Sequence, residues 1–88
     1  MTEGYLLTKP AAKFLNDIPS SKLRRQILDK IARLSRDPIP QGAKKVRCIK
    51  NREGYRVRQG PYRIIYEPDT ETNRVIVHAI GHRKDIYR

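Results

Sequence analysis

The segment from Tyr55 to Glu67 constrains this chain more than any other. Tyr55-Arg56-Val57-Arg58 alternates apolar and basic side chains, and Tyr62-Arg63-Ile64-Ile65-Tyr66-Glu67 is a β-rich run that follows closely. Alternation with a period of two marks a strand that buries one face. Gln59-Gly60-Pro61 separates the two runs, and glycine supplies the unusual dihedral of a tight hairpin turn. With Gly60-Pro61 as a two-residue turn, Arg58 falls opposite Arg63 and Val57 opposite Ile64. Tyr55, Val57, Ile64 and Tyr66 then share the face to be buried, and Arg56, Arg58 and Arg63 share the other. Like charges directly across a hairpin are destabilising. Arginines so placed read either as solvated side chains splayed on long stems or as a site that holds an anion between them.

The flanking sequence supplies a cover for the apolar face. Tyr5-Leu6-Leu7-Thr8 is a short strand candidate, and Pro10 suits the first turn of a helix with Ala11, Phe14 and Leu15 at i, i+3, i+4 spacing, ending near Asn16-Asp17. Ile18-Pro19 turns the chain. Ser20 or Ser21 caps a second helix whose Leu23, Ile27, Ile31 and Leu34 form one stripe, and Asp37-Pro38 stops it. Lys45–Ile49 alternates weakly as a strand. Asp69–Asn73 reads as a turn, and Arg74–Ile80 as a last strand ended by Gly81. The expectation is one α+β domain spanning residues 1–88. Two N-terminal antiparallel helices pack on one face of a mainly antiparallel sheet of four to five strands.

Charge points to the partner. The chain of 88 residues carries a formal net charge of +11. Residues 44–63 concentrate it, with eight basic side chains (Lys44, Lys45, Arg47, Lys50, Arg52, Arg56, Arg58, Arg63) against the single acid Glu53. Such an excess favours a polyanion, nucleic acid before membrane. Lys22, Arg25, Arg33 and Arg36 lie mostly away from the apolar stripe of the second helix and offer a second basic face for RNA. No apolar run approaches the roughly 18–20 residues that span a bilayer, and Met1-Thr2-Glu3-Gly4 lacks the basic-then-apolar order of a signal peptide. A cytoplasmic protein with no membrane partner is expected. Cys48 is the one cysteine, which excludes an internal disulfide and a cysteine-rich zinc site, and it reads as packing. His78 lies inside a strand, and two histidines without supporting carboxylates or thiols make no metal site. A core of this size leaves no deep pocket for a small-molecule cofactor; neither metal nor cofactor is expected.

Gly81-His82-Arg83-Lys84-Asp85-Ile86-Tyr87-Arg88 places an imidazole, a guanidinium and a phenol within a few residues after the last strand. Beside a phosphodiester these have distinct uses. Arginine orients and neutralises non-bridging oxygens, histidine moves a proton near neutral pH, and tyrosine stacks on a base.

Taken together, Lys9-Pro10-Ala11, the Leu23–Leu34 helix with Asp37-Pro38, Gly42-Ala43-Lys44-Lys45, Gly54-Tyr55-Arg56-Val57-Arg58, Gly60-Pro61-Tyr62-Arg63-Ile64-Ile65-Tyr66 and Gly81-His82-Arg83 through Tyr87 resemble the RelE toxins of the RelE/ParE superfamily. The resemblance runs end to end. It implies a toxin that enters the ribosomal A site and cleaves the mRNA codon there. The mRNA's own 2′-hydroxyl attacks the adjacent phosphate without a metal, and a RelB-like antitoxin with an acidic segment neutralises the toxin. The family's catalytic positions fall on Arg56, Arg58, Arg63, Arg83 and Tyr87. The resemblance implies that Arg63 and Arg83 stabilise phosphate charge and that Tyr87 stacks on the nucleotide.

Arg56 and Arg58 stand where the best-known pattern has lysines, one of them a general base. Arginine, with a pKa above about 12, does not replace it, so His82 is expected to move the proton, with Glu53 as a lesser substitute. Two other functions share the features: an RNA- or ribosome-binding homologue without catalysis, and a ParE-like inhibitor of DNA gyrase.

Overall fold

The computed structural model describes residues 4–47, 53–69 and 71–82. Strand β1 (Tyr5–Leu7) leads into helix α1 (Lys9–Asp17) and helix α2 (Ser21–Arg36). Strands β2 (Lys44–Arg47), β3 (Glu53–Gln59), β4 (Tyr62–Asp69) and β5 (Arg74–His82) follow. The sheet order is β1-β5-β4-β3-β2, antiparallel except for the parallel pair β1–β5. β1 and β2 therefore occupy opposite edges. The chain crosses from one to the other through the helices and returns to β1 by successive antiparallel strands, which puts both helices on one face. Among the described residues no helix is long and apolar enough to cross a membrane.

Local chemistry sets the helix boundaries. The Thr8 hydroxyl accepts from the Ala11 amide and donates to the His78 carbonyl at 3.0 Å, so one side chain caps α1 and ties it to β5. Ser20 caps α2 by accepting from the Leu23 amide at 3.2 Å, and the Arg24 guanidinium donates to the Ile18 carbonyl in the turn before it. Arg33 and Arg36 lie in the last turn of α2, where cations meet the negative end of the helix dipole.

The core lies between the layers. Ala11 and Leu15 of α1 and Ile27, Ile31 and Leu34 of α2 pack over Val57, Ile64, Tyr66, Val75, Val77 and Ile80. Burial of each larger aliphatic side chain contributes roughly 1.5–3 kcal/mol. The Tyr66 hydroxyl donates to the Pro38 carbonyl at 2.5 Å and pins the connection between α2 and β2 to the sheet. Burial, followed by the nearby Tyr55 and Asp37, pushes this phenol up to about 12.

Several strand limits differ from expectation: β2 begins at Lys44, and β4 runs on to Asp69. The last strand continues through Gly81 to His82, because Gly81 pairs with Arg63 and His82 with Tyr62. A glycine inside a sheet takes extended backbone as readily as any other residue, so Gly81 does not end the ladder. Thr8 leaves β1 to cap the helix.

Candidate nucleic-acid interface

The β3–β4 hairpin has the register that its turn dictates. Gly60 adopts φ 61°, and Arg58 pairs with Arg63, Val57 with Ile64 and Tyr55 with Tyr66. Val57, Ile64 and Tyr66 are buried under the helices. Strand alternation therefore sends Arg56, Arg58 and Arg63 to the opposite face. Arg58 is exposed; Arg56 and Arg63 are half-buried. Across β2, Lys44 pairs with Arg56. Two like-charged cross-strand pairs, Lys44/Arg56 and Arg58/Arg63, thus lie side by side over three strands. Each opposes folding by a few tenths of a kcal/mol, and an anion spanning the strands reverses that sign.

His82 falls elsewhere. Between Ile65 and Tyr66 the β4–β5 register shifts, so that Ile65 pairs with Ala79 but Tyr66 with Val77. The extra residue is His78. One extra residue reverses the side-chain parity of everything beyond it. Val75 and Val77 face the core, but so does Ile80, and His82 shares its face with Tyr62. The His82 ring packs edge-on against Tyr62 with centroids 6.0 Å apart, and Tyr62 in turn meets Phe14 of α1 at 5.8 Å. The expected grouping of His82 with the arginines is therefore not formed: its ring lies on the helix side of the sheet. Glu53, the lesser candidate, forms an exposed ion pair with Lys45 at 3.4 Å.

The other sequence candidates separate into groups. Lys22, Arg25, Arg33 and Arg36 are exposed on α2, across the sheet from the arginines. Lys45 is exposed on β2, and Arg47 ends that strand opposite Glu53. Lys50, Arg52, Arg83 and Tyr87 lie outside the described residues, as does Cys48.

Two features escape sequence reasoning. The imidazole Nε2 of His78 lies 2.9 Å from Glu67 Oε1, with side chains only 15% and 10% exposed. This pair depends on the bulge and carries no sequence signal. No cluster of three or more potential metal ligands occurs among the described residues. The second feature is a cavity of about 370 Å³ lined by Lys30, Gln41, Gly42, Lys44, Arg56 and Arg58, with Val57 beside them. Lys30 comes from α2 and enters this set only through tertiary packing.

The fold and this face define a small α+β protein with a cationic surface built across a β-hairpin. The sequence profile of the family described as ParE toxin of type II toxin–antitoxin system, parDE, matches residues 5–87. Toxin RelG of Mycobacterium tuberculosis is 31% identical over 81 residues, covering 92% of this chain and 91% of that protein. The RelBE2 toxin–antitoxin complex of the same organism contains a chain with 25% identity and a TM-score of 0.76, covering 94% of this chain and 93% of that one. The archaeal RelE–RelB complex of Pyrococcus horikoshii shares the fold at 24% identity and a TM-score of 0.77, covering 97% and 99% of the two chains. The chain belongs to the RelE/ParE superfamily and is a toxin of a type II toxin–antitoxin system.

Proposed function

We propose that this toxin is a ribosome-dependent endoribonuclease that cleaves mRNA in the A site. The observation that carries the reading is the direct opposition of Arg58 and Arg63, with Arg56 on the same face. In the reaction the 2′-oxygen forms a bond to phosphorus and the bond to the 5′-oxygen breaks. The 2′-hydroxyl loses its proton, the leaving 5′-oxygen gains one, and the products are a 2′,3′-cyclic phosphate and a 5′-hydroxyl. Charge accumulates on the non-bridging oxygens in between. Guanidinium groups stay charged throughout and present paired donors that match those oxygens, so their part is electrostatic stabilisation. Arg83 completes the cationic set and Tyr87 stacks on the base in this reading. His82 acts as a positioning residue that locks the end of β5 against Tyr62. An acidic segment of a RelB-like antitoxin covers the arginine face in the neutral complex; RelB–RelE complexes among the solved relatives support that partner.

The ParE description of the family profile favours a second reading, inhibition of DNA gyrase. Ribosomes programmed with a short labelled mRNA and an empty A site separate the two. Fragments ending in a 2′,3′-cyclic phosphate within the A-site codon, absent with Arg63→Ala, are expected. Intact mRNA together with DNA breaks in cells would establish the gyrase reading instead. Intact mRNA with ribosome binding retained would leave a non-catalytic binding module.

A further inference from the structure

The cavity beside Lys30 sits where the sheet edge opens. Among the described residues β2 pairs with β3 from Arg47/Glu53 to Lys44/Arg56. Beyond Arg56, the residues Val57, Arg58 and Gln59 have β4 on one side and no strand on the other among the described residues. Gly42, at φ 96°, and the turn closed by the Ala43 amide on the Pro40 carbonyl at 3.1 Å carry the chain away from β3 toward α2. The result is a notch about 370 Å³ in volume that joins the helix layer to the arginine face.

Its lining is one-sided in charge. Lys30, Lys44, Arg56 and Arg58 border it, and among the described residues no acidic side chain does. Among the described residues, Lys30, Lys44 and Arg58 have no carboxylate within ion-pair distance. Asp29 lines an adjoining, smaller cavity with Gln26, Arg33 and Gln59, and Lys30 borders both cavities. Gln41 adds an amide donor at the rim. Gly42 has open space where a Cβ would stand, so the mouth is unobstructed there. Alternate residues of an antiparallel strand turn both backbone groups to the same side. The stretch 57–59, without a strand on this side among the described residues, therefore turns at least one amide, together with the carbonyl of the same residue, toward the open edge that borders the notch. Fixed backbone donors beside ammonium and guanidinium groups are the combination that holds a phosphate.

We infer that this notch is a second phosphate site, taking the backbone of a single-stranded RNA that runs off the arginine face and over the β3 edge. The inference rests on the arginine face being the RNA surface. It adds Lys30, in the helix layer, and Gln41, in the turn before β2, to the path of the strand. Several phosphates are then gripped on both sides of one sheet edge, and the RNA is bent around β3 instead of lying flat. A compact free nucleotide offers the same phosphate chemistry and is the competing source.

The test uses a fluorescent 2′-O-methyl octauridylate, which lacks the attacking hydroxyl and reports binding alone. Its affinity for wild type, for the double variant Lys30→Gln/Lys44→Gln and for the charge-matched Lys9→Gln/Lys13→Gln on α1 is measured from low to moderate salt. A lysine that contacts a phosphate contributes about 0.7 to the slope of log K against log salt for a single strand. The notch variant should flatten the slope by about 1.4, whereas the α1 variant should leave it within experimental scatter. Equal slopes for wild type and the notch variant would overturn the inference. So would Lys30-dependent binding of uridine monophosphate without any change in the octamer slope, or a loss confined to binding of the acidic antitoxin segment. Failure here is distinct from failure of the nuclease reading. An unchanged slope in the notch variant with A-site cleavage intact removes only the second site; a flattened slope with no cleavage removes only the chemistry.

Discussion

Tyr66 offers a quantitative test of how the core holds the connection that leads to the basic edge. Its ring is fully buried, and its hydroxyl donates to the Pro38 carbonyl at 2.5 Å. Tyr66→Phe keeps the ring packing and deletes one hydrogen bond, leaving the carbonyl without this donor. The loss should be about 1–2 kcal/mol. For a domain of this size that is roughly 5–15 °C in Tm. The pH dependence sharpens the test. The phenol is held at about 12 against its usual 10.0, by burial first and then by Tyr55 and Asp37. Above pH 10 the unfolded chain releases this proton while the folded chain keeps it, so the wild type loses stability as pH rises from about 10 to 12. The slope contributed by this group is on the order of 1 kcal/mol per pH unit. Below pH 10 its contribution is fully present. Tyr66→Phe has no such proton, so the Tm gap between the proteins should be widest near pH 8 and close by pH 12. Thermal melts followed by circular dichroism at several pH values measure it. A gap that stays constant across that range, or no gap at pH 8, would refute the reasoning. Hydrogen exchange at Gln41 and Gly42 should also rise in the variant, because Pro38 begins the segment that borders the notch.

Three further outcomes follow from the same geometry. Arg58→Glu converts a repulsive cross-strand pair with Arg63 into an attractive one, and should raise stability by about 0.5–1 kcal/mol in urea unfolding while abolishing RNA affinity in the octamer assay. His82→Phe preserves the edge contact with Tyr62 and should retain A-site cleavage with an unchanged pH profile, whereas His82→Ala should weaken cleavage through misplacement of the chain end; a Phe variant as inactive as Ala would restore a proton-transfer role to the imidazole. Ile27→Ala, at a site with no solvent exposure, should cost about 2–5 kcal/mol by the cavity it leaves, and chemical denaturation checks it.

Much of the fold is legible because its signals are local. The Leu23, Ile27, Ile31, Leu34 stripe specifies a helix with one buried side, and of the two serines that the sequence offers as its cap the structure uses Ser20. Gly60 makes the tight turn, and the turn alone sets Arg58 against Arg63. The arginine face could therefore be read before any coordinates, since strand alternation and turn length involve neighbours only a few residues apart. Strand pairing across longer separations is a different matter. Nothing in Tyr5-Leu6-Leu7 announces a parallel partner in Val75-Ile76-Val77, because that contact joins the two ends of the chain.

The bulge at His78 makes the division plain. Simple alternation from Val75 and Val77 would send His82 toward the arginine face; one unpaired residue sends it to Tyr62 instead. Whether a strand takes up an extra residue depends on how β5 fits between β1 and β4 while Thr8 holds the His78 carbonyl, a balance of packing that no short window of sequence contains. Lys30 illustrates the same point, since it joins Arg56 and Arg58 only when α2 is laid across the sheet. The sequence by itself determined the elements, the hairpin register and the excess of positive charge. Tertiary structure alone decided which cations share a surface and which side of the sheet the histidine serves, because those depend on energies summed over contacts far apart in the chain.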